Sequence, residues 1–132
     1  MRDHCPVDWN NPNDLRSLVD RLRALPGENE WVEFKANNAA PDEIGEYISC
    51  LANSAALSGQ ETAFMIWGIH DDDHAVVGTS FRPSGSKVGN EDLQAWLLRL
   101  LDPPVDFSFH SVRIAEGPVV VLRVDAASKL PV

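Results

Sequence analysis

Residues 63–69, Ala-Phe-Met-Ile-Trp-Gly-Ile, carry no polar side chain and then end abruptly in His70-Asp71-Asp72-Asp73. The run is too short for a buried helix and too continuously apolar for a strand with one wet face. It reads as a central strand, buried on both sides. Such a strand demands neighbours along its two edges and cover above and below, so a sheet with packed helices is required. Gly68 inside the run predicts close approach of another backbone. The acids turn the chain, and Ala75-Val76-Val77-Gly78 is predicted to return as the second strand of a hairpin.

The remaining segments supply that cover. Residues 1–10 have no clear period and read as an irregular arm, with Trp9 folded onto the core. Asn11-Pro12-Asn13-Asp14 is a helix start, followed by Leu15, Leu18, Val19, Leu22 and Leu25 at helical spacing and stopped by Pro26-Gly27. Trp31–Lys35 alternates as a strand, with Val32 and Phe34 on one face and Trp31, Glu33 and Lys35 on the other. Pro41-Asp42-Glu43 opens a second helix with the stripe Ile44, Tyr47, Ile48, Leu51, Ala52 and Ala55. Phe81–Gly89 reads as a flexible loop. Asn90-Glu91-Asp92 starts a third helix with Leu93, Trp96, Leu97, Leu100 and Leu101 on one face. Val105–His110 and Pro118–Asp125 read as two further strands. The expected fold class is α+β: a mixed sheet of about five to six strands with helices mainly on one face.

Composition narrows the function. With 132 residues, 44% of them hydrophobic, the chain has material for one cored domain. No apolar run approaches a membrane span, and Met1-Arg2-Asp3-His4 does not open a signal peptide. Two cysteines far apart, Cys5 and Cys50, do not make a disulfide framework, so a reducing cytoplasm is expected. Twenty acids against eleven Lys plus Arg give a net charge of −9, a field that repels nucleic acid unless a local basic patch, a metal ion or another domain offsets it.

The residues with chemistry to offer are few. Glu28, Glu33 and Asp71 stand at the ends of two strands expected to be neighbours, with Lys35 and Trp31 on the same strand face as Glu33. Lys35 suits a phosphate oxygen or an ion pair with Glu33; Trp31 suits base stacking or core packing. Arg16, Arg21 and Arg23 lie off the apolar stripe of the first helix, as a solvated face or as a small phosphate-facing patch, for which Arg16 and Arg23 are the candidates. His70 and His74, with the acids between them, suggest a zinc site, but their spacing suits a helix and not a turn. Cys50 has no basic neighbour to stabilise a thiolate. No Ser/His/Asp set, phosphate loop or dinucleotide fingerprint occurs.

Taken together, Glu28-x-x-x-x-Glu33-Phe34-Lys35, then Ile48-Ser49-Cys50-Leu51-Ala52-Asn53-Ser54, then Trp67-Gly68-Ile69-His70-Asp71 with Val77-Gly78 following, resemble the Schlafen AlbA-like domain. Val121–Val124 and Leu130-Pro131-Val132 resemble that family's last strand and its exit. The likeness covers about residues 15–132 and leaves 1–14 as an N-terminal arm. It departs from the family where a Gly-Gly pair is replaced by Ala55–Glu61. It also stops before a further strand, so the chain resembles a truncated piece of a longer regulator.

The resemblance implies a DNA- or RNA-associated domain of a bacterial transcriptional-regulator-like protein. It also implies that Glu28, Glu33 and Asp71 are a three-carboxylate set holding Mg²⁺ or Mn²⁺ in a metal-dependent endoribonuclease. A non-catalytic assembly domain, working as a homodimer, is the third expectation.

Overall fold

The structure, a computed structural model, describes residues 7–25, 31–102, 104–114 and 117–128. In chain order the elements are α1 (Pro12–Arg23), β1 (Val32–Lys35), α2 (Pro41–Leu57), β2 (Thr62–Trp67), a 3₁₀ turn (Pro83–Gly85), β3 (Lys87–Val88), β4 (Glu91–Asp92), α3 (Leu93–Leu100), β5 (Phe107–Ile114) and β6 (Gly117–Asp125). The main sheet has the order β1-β2-β6-β5; β3 and β4 form a separate two-stranded ribbon. β1 and β2 are parallel, and β2–β6 and β6–β5 are antiparallel. This is the expected mixed α+β arrangement.

The apolar run becomes β2, an inner strand, and from Ala63 to Trp67 every residue is buried. Alternate side chains go to opposite layers. Ala63, Met65 and Trp67 join the stripe Ile44, Ile48, Leu51, Ala52 and Ala55 of α2 and Leu93 and Leu97 of α3. Phe64 and Ile66 join Val32, Phe34 and the α1 residues Leu15, Leu18, Val19 and Leu22. Two helices therefore cover one face and α1 covers the other. The largest buried side chain, Trp67, satisfies its indole by donating to the Asn38 carbonyl at 2.7 Å, the requirement for burying that ring without loss.

Helix starts follow local chemistry. The Asn11 side chain accepts from Asn13 N–H at 2.9 Å with Pro12 in the first turn, so Pro12–Asp14 of the expected arm are helical. Asp92 caps α3 by accepting from Gln94 and Ala95. Three expectations are corrected. Ala75–Gly78 folds back on Gly68–His70, with an Ile69–Val76 bridge and bonds from His70 N–H to the Ala75 carbonyl and from Val77 N–H to the Gly68 carbonyl, but it forms no strand, and β6 holds that edge of β2 over Thr62–Trp67. Phe81–Gly89 is not structureless, since it holds the 3₁₀ turn and β3. Leu100 does not join the core; it is half exposed, and Leu101, beyond the helix end, is buried in its place.

Trp9 does fold back. Its ring stacks on His110 of β5 with centroids 4.6 Å apart, and the Arg123 guanidinium lies over the same Trp9 ring, 6.0 Å from its centroid. Ser108 and His110 share a hydrogen bond of 2.7 Å, while Arg123 donates to the Ser108 hydroxyl. Burial, with the Arg123 charge adding to it, lowers the His110 pKa, as expected for an imidazole kept neutral under an aromatic lid.

At the end of β2, Gly68 takes φ +100°, and a Cβ there would lie 2.9 Å from the Pro118 carbonyl oxygen. Gly59, at φ +72°, has open space around it. Gly59→Ala is therefore expected to lose about 1–2 kcal/mol of stability and Gly68→Ala about 3 kcal/mol, strain and overlap together, in urea titrations.

His110 gives a pH signature. Its folded pKa is depressed, so its contribution is complete above the unfolded imidazole value of about 6.5 and is lost as pH falls through the folded value. The difference in stability between the natural protein and His110→Phe is expected to shrink on acidification below about pH 6.5; a constant or growing difference would contradict it.

Candidate functional site

β1 sets the site. Val32 and Phe34 face α1, so Glu33 and Lys35 must point to the α2 side, in register with Met65 and Trp67. There Glu33 meets Glu43, Glu46, Tyr47, Cys50, Leu51 and Ser54 around a pocket of about 320 Å³. Lys35 lies 5.3 Å from the centre of the Tyr47 ring. Its pKa is raised, first by hydrogen bonding with Tyr47 and then by the charges of Tyr47, Glu33 and Asp71, against some desolvation. Lys35 is thus the point at which the fields of Glu33 and Asp71 overlap. It sits at the carboxyl ends of the parallel pair β1–β2, the end of a parallel sheet where ligands generally bind.

The turn beyond β2 is tightly tied. His70 Nδ1 accepts from Asp72 N–H at 3.2 Å and lies 4.0 Å and 3.5 Å from the Asp71 and Asp73 carboxylates. His74 takes φ +58°, with its ring against Phe34 at 4.4 Å. Its Nδ1 donates to the Arg23 carbonyl at 3.0 Å, and Arg23 Nε returns a bond to the His74 carbonyl at 2.6 Å. This reciprocal clamp fixes the C-terminal end of α1 to the turn.

His74, with its ring against Phe34 and its Nδ1 bonded to backbone, is outside the group of converging ligand atoms. The group with converging ligand atoms among the described residues is His70, Asp71 and Asp72, all exposed and within 4.8 Å of one another. That set can hold a metal ion. Its imidazole suits a softer cation than Mg²⁺, and Glu33 is outside it.

The other sequence candidates fall as follows. Glu28 lies outside the described residues. Trp31 is half-buried at the start of β1 and packs against both hydrophobic layers. Arg16 binds the Arg113 carbonyl at 2.9 Å and Asn13 at 2.8 Å. Arg23 binds Asp20 besides His74. Both arginines belong to α1, across the sheet from Lys35, so the structure gathers Glu33, Lys35 and Asp71 and leaves the arginine pair apart.

Sequence reasoning missed Tyr47, Glu43 and Glu46. Tyr47 was hidden in the apolar stripe of α2, and Glu43–Tyr47 at a spacing of four was the available signal. It missed Asn37 as well. The Asn37 side-chain oxygen accepts from the Thr79 hydroxyl at 2.8 Å and from Ser80 N–H at 2.9 Å, tying the β1–α2 loop to the segment after Gly78.

Comparison with known proteins gives a family. The model of the family described as Schlafen, AlbA_2 matches residues 28–132. Six chains of known structure match. Among them is the solution NMR structure of the N-terminal domain of a RecG-related protein from Nitrosomonas europaea, a protein named for an ATP-dependent DNA helicase. It is 17% identical with a TM-score of 0.51, and the match covers 88% of this chain and 82% of that one; the likeness is one of fold. No curated protein matches.

Tyr47→Phe removes the largest influence on Lys35. Its ammonium is expected to titrate at lower pH than in the natural protein, followed by NMR of the Lys35 side chain, while Glu33 and Asp71 continue to act on it.

Proposed function

The chain belongs to the Schlafen, AlbA_2 family, and from that premise we propose that it is a nucleic-acid-binding regulatory module that meets phosphate at the Lys35 edge of its sheet. In this reading it serves a bacterial transcriptional-regulator-like protein in the cytoplasm, where the exposed free thiol of Cys50 is compatible with reducing conditions. The observation that carries the proposal is the position of Lys35: a fully charged ammonium at the mouth of the parallel strand pair, beside an aromatic ring. With a net charge of −9, any attraction for phosphate has to come from local cations such as Lys35.

Affinity for single-stranded RNA and for duplex DNA, measured at low salt, tests this. Lys35→Ala is expected to weaken binding across sequences and to reduce the slope of log affinity against log salt by about 1. No binding by this chain or by a longer protein carrying it would end the proposal.

A second reading is supported by the electrostatics at the same edge. Glu33 and Asp71 act on one lysine, and Asp71 belongs to the cluster of possible metal ligands. With Glu28, these acids form the three-carboxylate set of a metal-dependent endoribonuclease, in which Mg²⁺ or Mn²⁺ would supply Lewis acidity and an activated water. Lys35 would neutralise a phosphate oxygen. Glu33→Gln is expected to abolish Mn²⁺-dependent cleavage of structured RNA, by at least about 100-fold, while leaving the thermal transition intact. Equal cleavage by that variant would dismiss the carboxylate set and leave the binding reading standing.

A further inference from the structure

The sheet order leaves β5 as an edge strand. Its backbone parity follows from the β5–β6 register and from the bond of Asp125 N–H to the Asp106 carbonyl. Asp106, Ser108, His110 and Val112 direct their backbone groups to β6. Phe107, Phe109, Ser111 and Arg113 therefore direct theirs away from the sheet. The Arg113 carbonyl is taken by Arg16, which leaves Phe107, Phe109 and Ser111, among the described residues, as an open row centred on Phe109.

Native sheets protect such rows with lysines, prolines, bulges or a covering segment. Residues 107–112, Phe-Ser-Phe-His-Ser-Val, contain no proline and no acidic or basic side chain other than the neutral His110. Phe107 and Phe109 are half-buried on the α2 and α3 face, with ring centroids 6.0 Å apart.

We propose that this edge pairs with β5 of a second copy, antiparallel across a two-fold axis through Phe109, to make a continuous eight-stranded sheet. The occupant follows from self-complementarity. About that axis Phe109 faces its own copy, and the large Phe107 faces the small, exposed Ser111 of the other chain. The pairs 107–111, 109–109 and 111–107 each exchange two backbone hydrogen bonds. The row available is itself symmetric about Phe109, since Arg16 closes it at one end. Placing a neutral strand at the contact is also the arrangement that two chains of net charge −9 tolerate best. Salt should therefore tighten the pairing by screening the repulsion of the two bodies, the opposite of its effect on phosphate contacts.

Sedimentation of the full chain from about 5 to about 200 µM, in low and moderate salt, is expected to show a monomer–dimer equilibrium shifted to dimer by added salt. Ser111→Pro removes an outward N–H that β6 does not use and is expected to yield a monomer with an unchanged circular dichroism spectrum. Should that variant fold poorly, amide exchange of the natural protein supplies the decision. The Phe107, Phe109 and Ser111 amides should slow by about ten-fold or more as concentration rises, while Ser108 and His110 are protected throughout. A monomer at all concentrations, exchange at the outward amides that ignores concentration, or a dimer that persists in folded Ser111→Pro would each overturn the proposal.

Discussion

The two faces of this sheet are held together by what happens at the last residues of β2. Trp67 is fully buried and donates its indole N–H into the β1–α2 loop at Asn38. The next residue, Gly68, bonds back to the Lys35 carbonyl at 2.8 Å and accepts from both Val77 and Gly78. One peptide segment thus ties β1, the loop that leads into α2, and the chain returning at Gly78. The contact is possible because no Cβ stands between Gly68 and the Pro118 carbonyl. The α2 layer, the α1 layer and the exposed turn all take their positions from it.

Function is read from that same junction. A parallel pair of strands ends there, and its two exits present side chains to solvent together: Lys35 from one and the 70–74 turn from the other. The pairing gives Lys35 two acidic neighbours that stand 38 residues apart in sequence, Glu33 and Asp71. Tyr47 reaches the same lysine from α2, so strand, turn and helix meet at a single ammonium. The reciprocal Arg23–His74 clamp then holds the turn from the opposite side of the sheet.

Charge divides the surface into different kinds of contact. The α2 rim beside Glu33 is acidic, with Glu43 and Glu46, whereas the outer strand β5 is neutral over Phe107–Val112. Under the two proposals, phosphate would be met by Lys35 at the carboxyl ends of β1 and β2, and a second copy would be met at the far strand. Ionic strength would act on those two contacts with opposite sign, because one would join unlike charges and the other would bring together like-charged bodies.

Much was legible in linear order. The uninterrupted Ala63–Ile69 run demanded an inner strand, Asn11-Pro12 and Asp92 announced helix starts, and Gly68 announced a close backbone approach. The short motifs, in their order, pointed to the family over about residues 15–132, and the family model matches 28–132. These features are local, set by side-chain periodicity, capping and φ preference. The sequence did not decide which strand would flank β2. A long hairpin with Ala75–Gly78 satisfied the same pattern, but that return stays a single bridge and β6 pairs along Thr62–Trp67. Nor could it pair Lys35 with Tyr47 or turn His74 onto Arg23, because those contacts join residues whose spacing in the chain carries no period. Local chemistry determined the elements; the sharing of backbone hydrogen bonds and burial among distant strands determined which side chains meet.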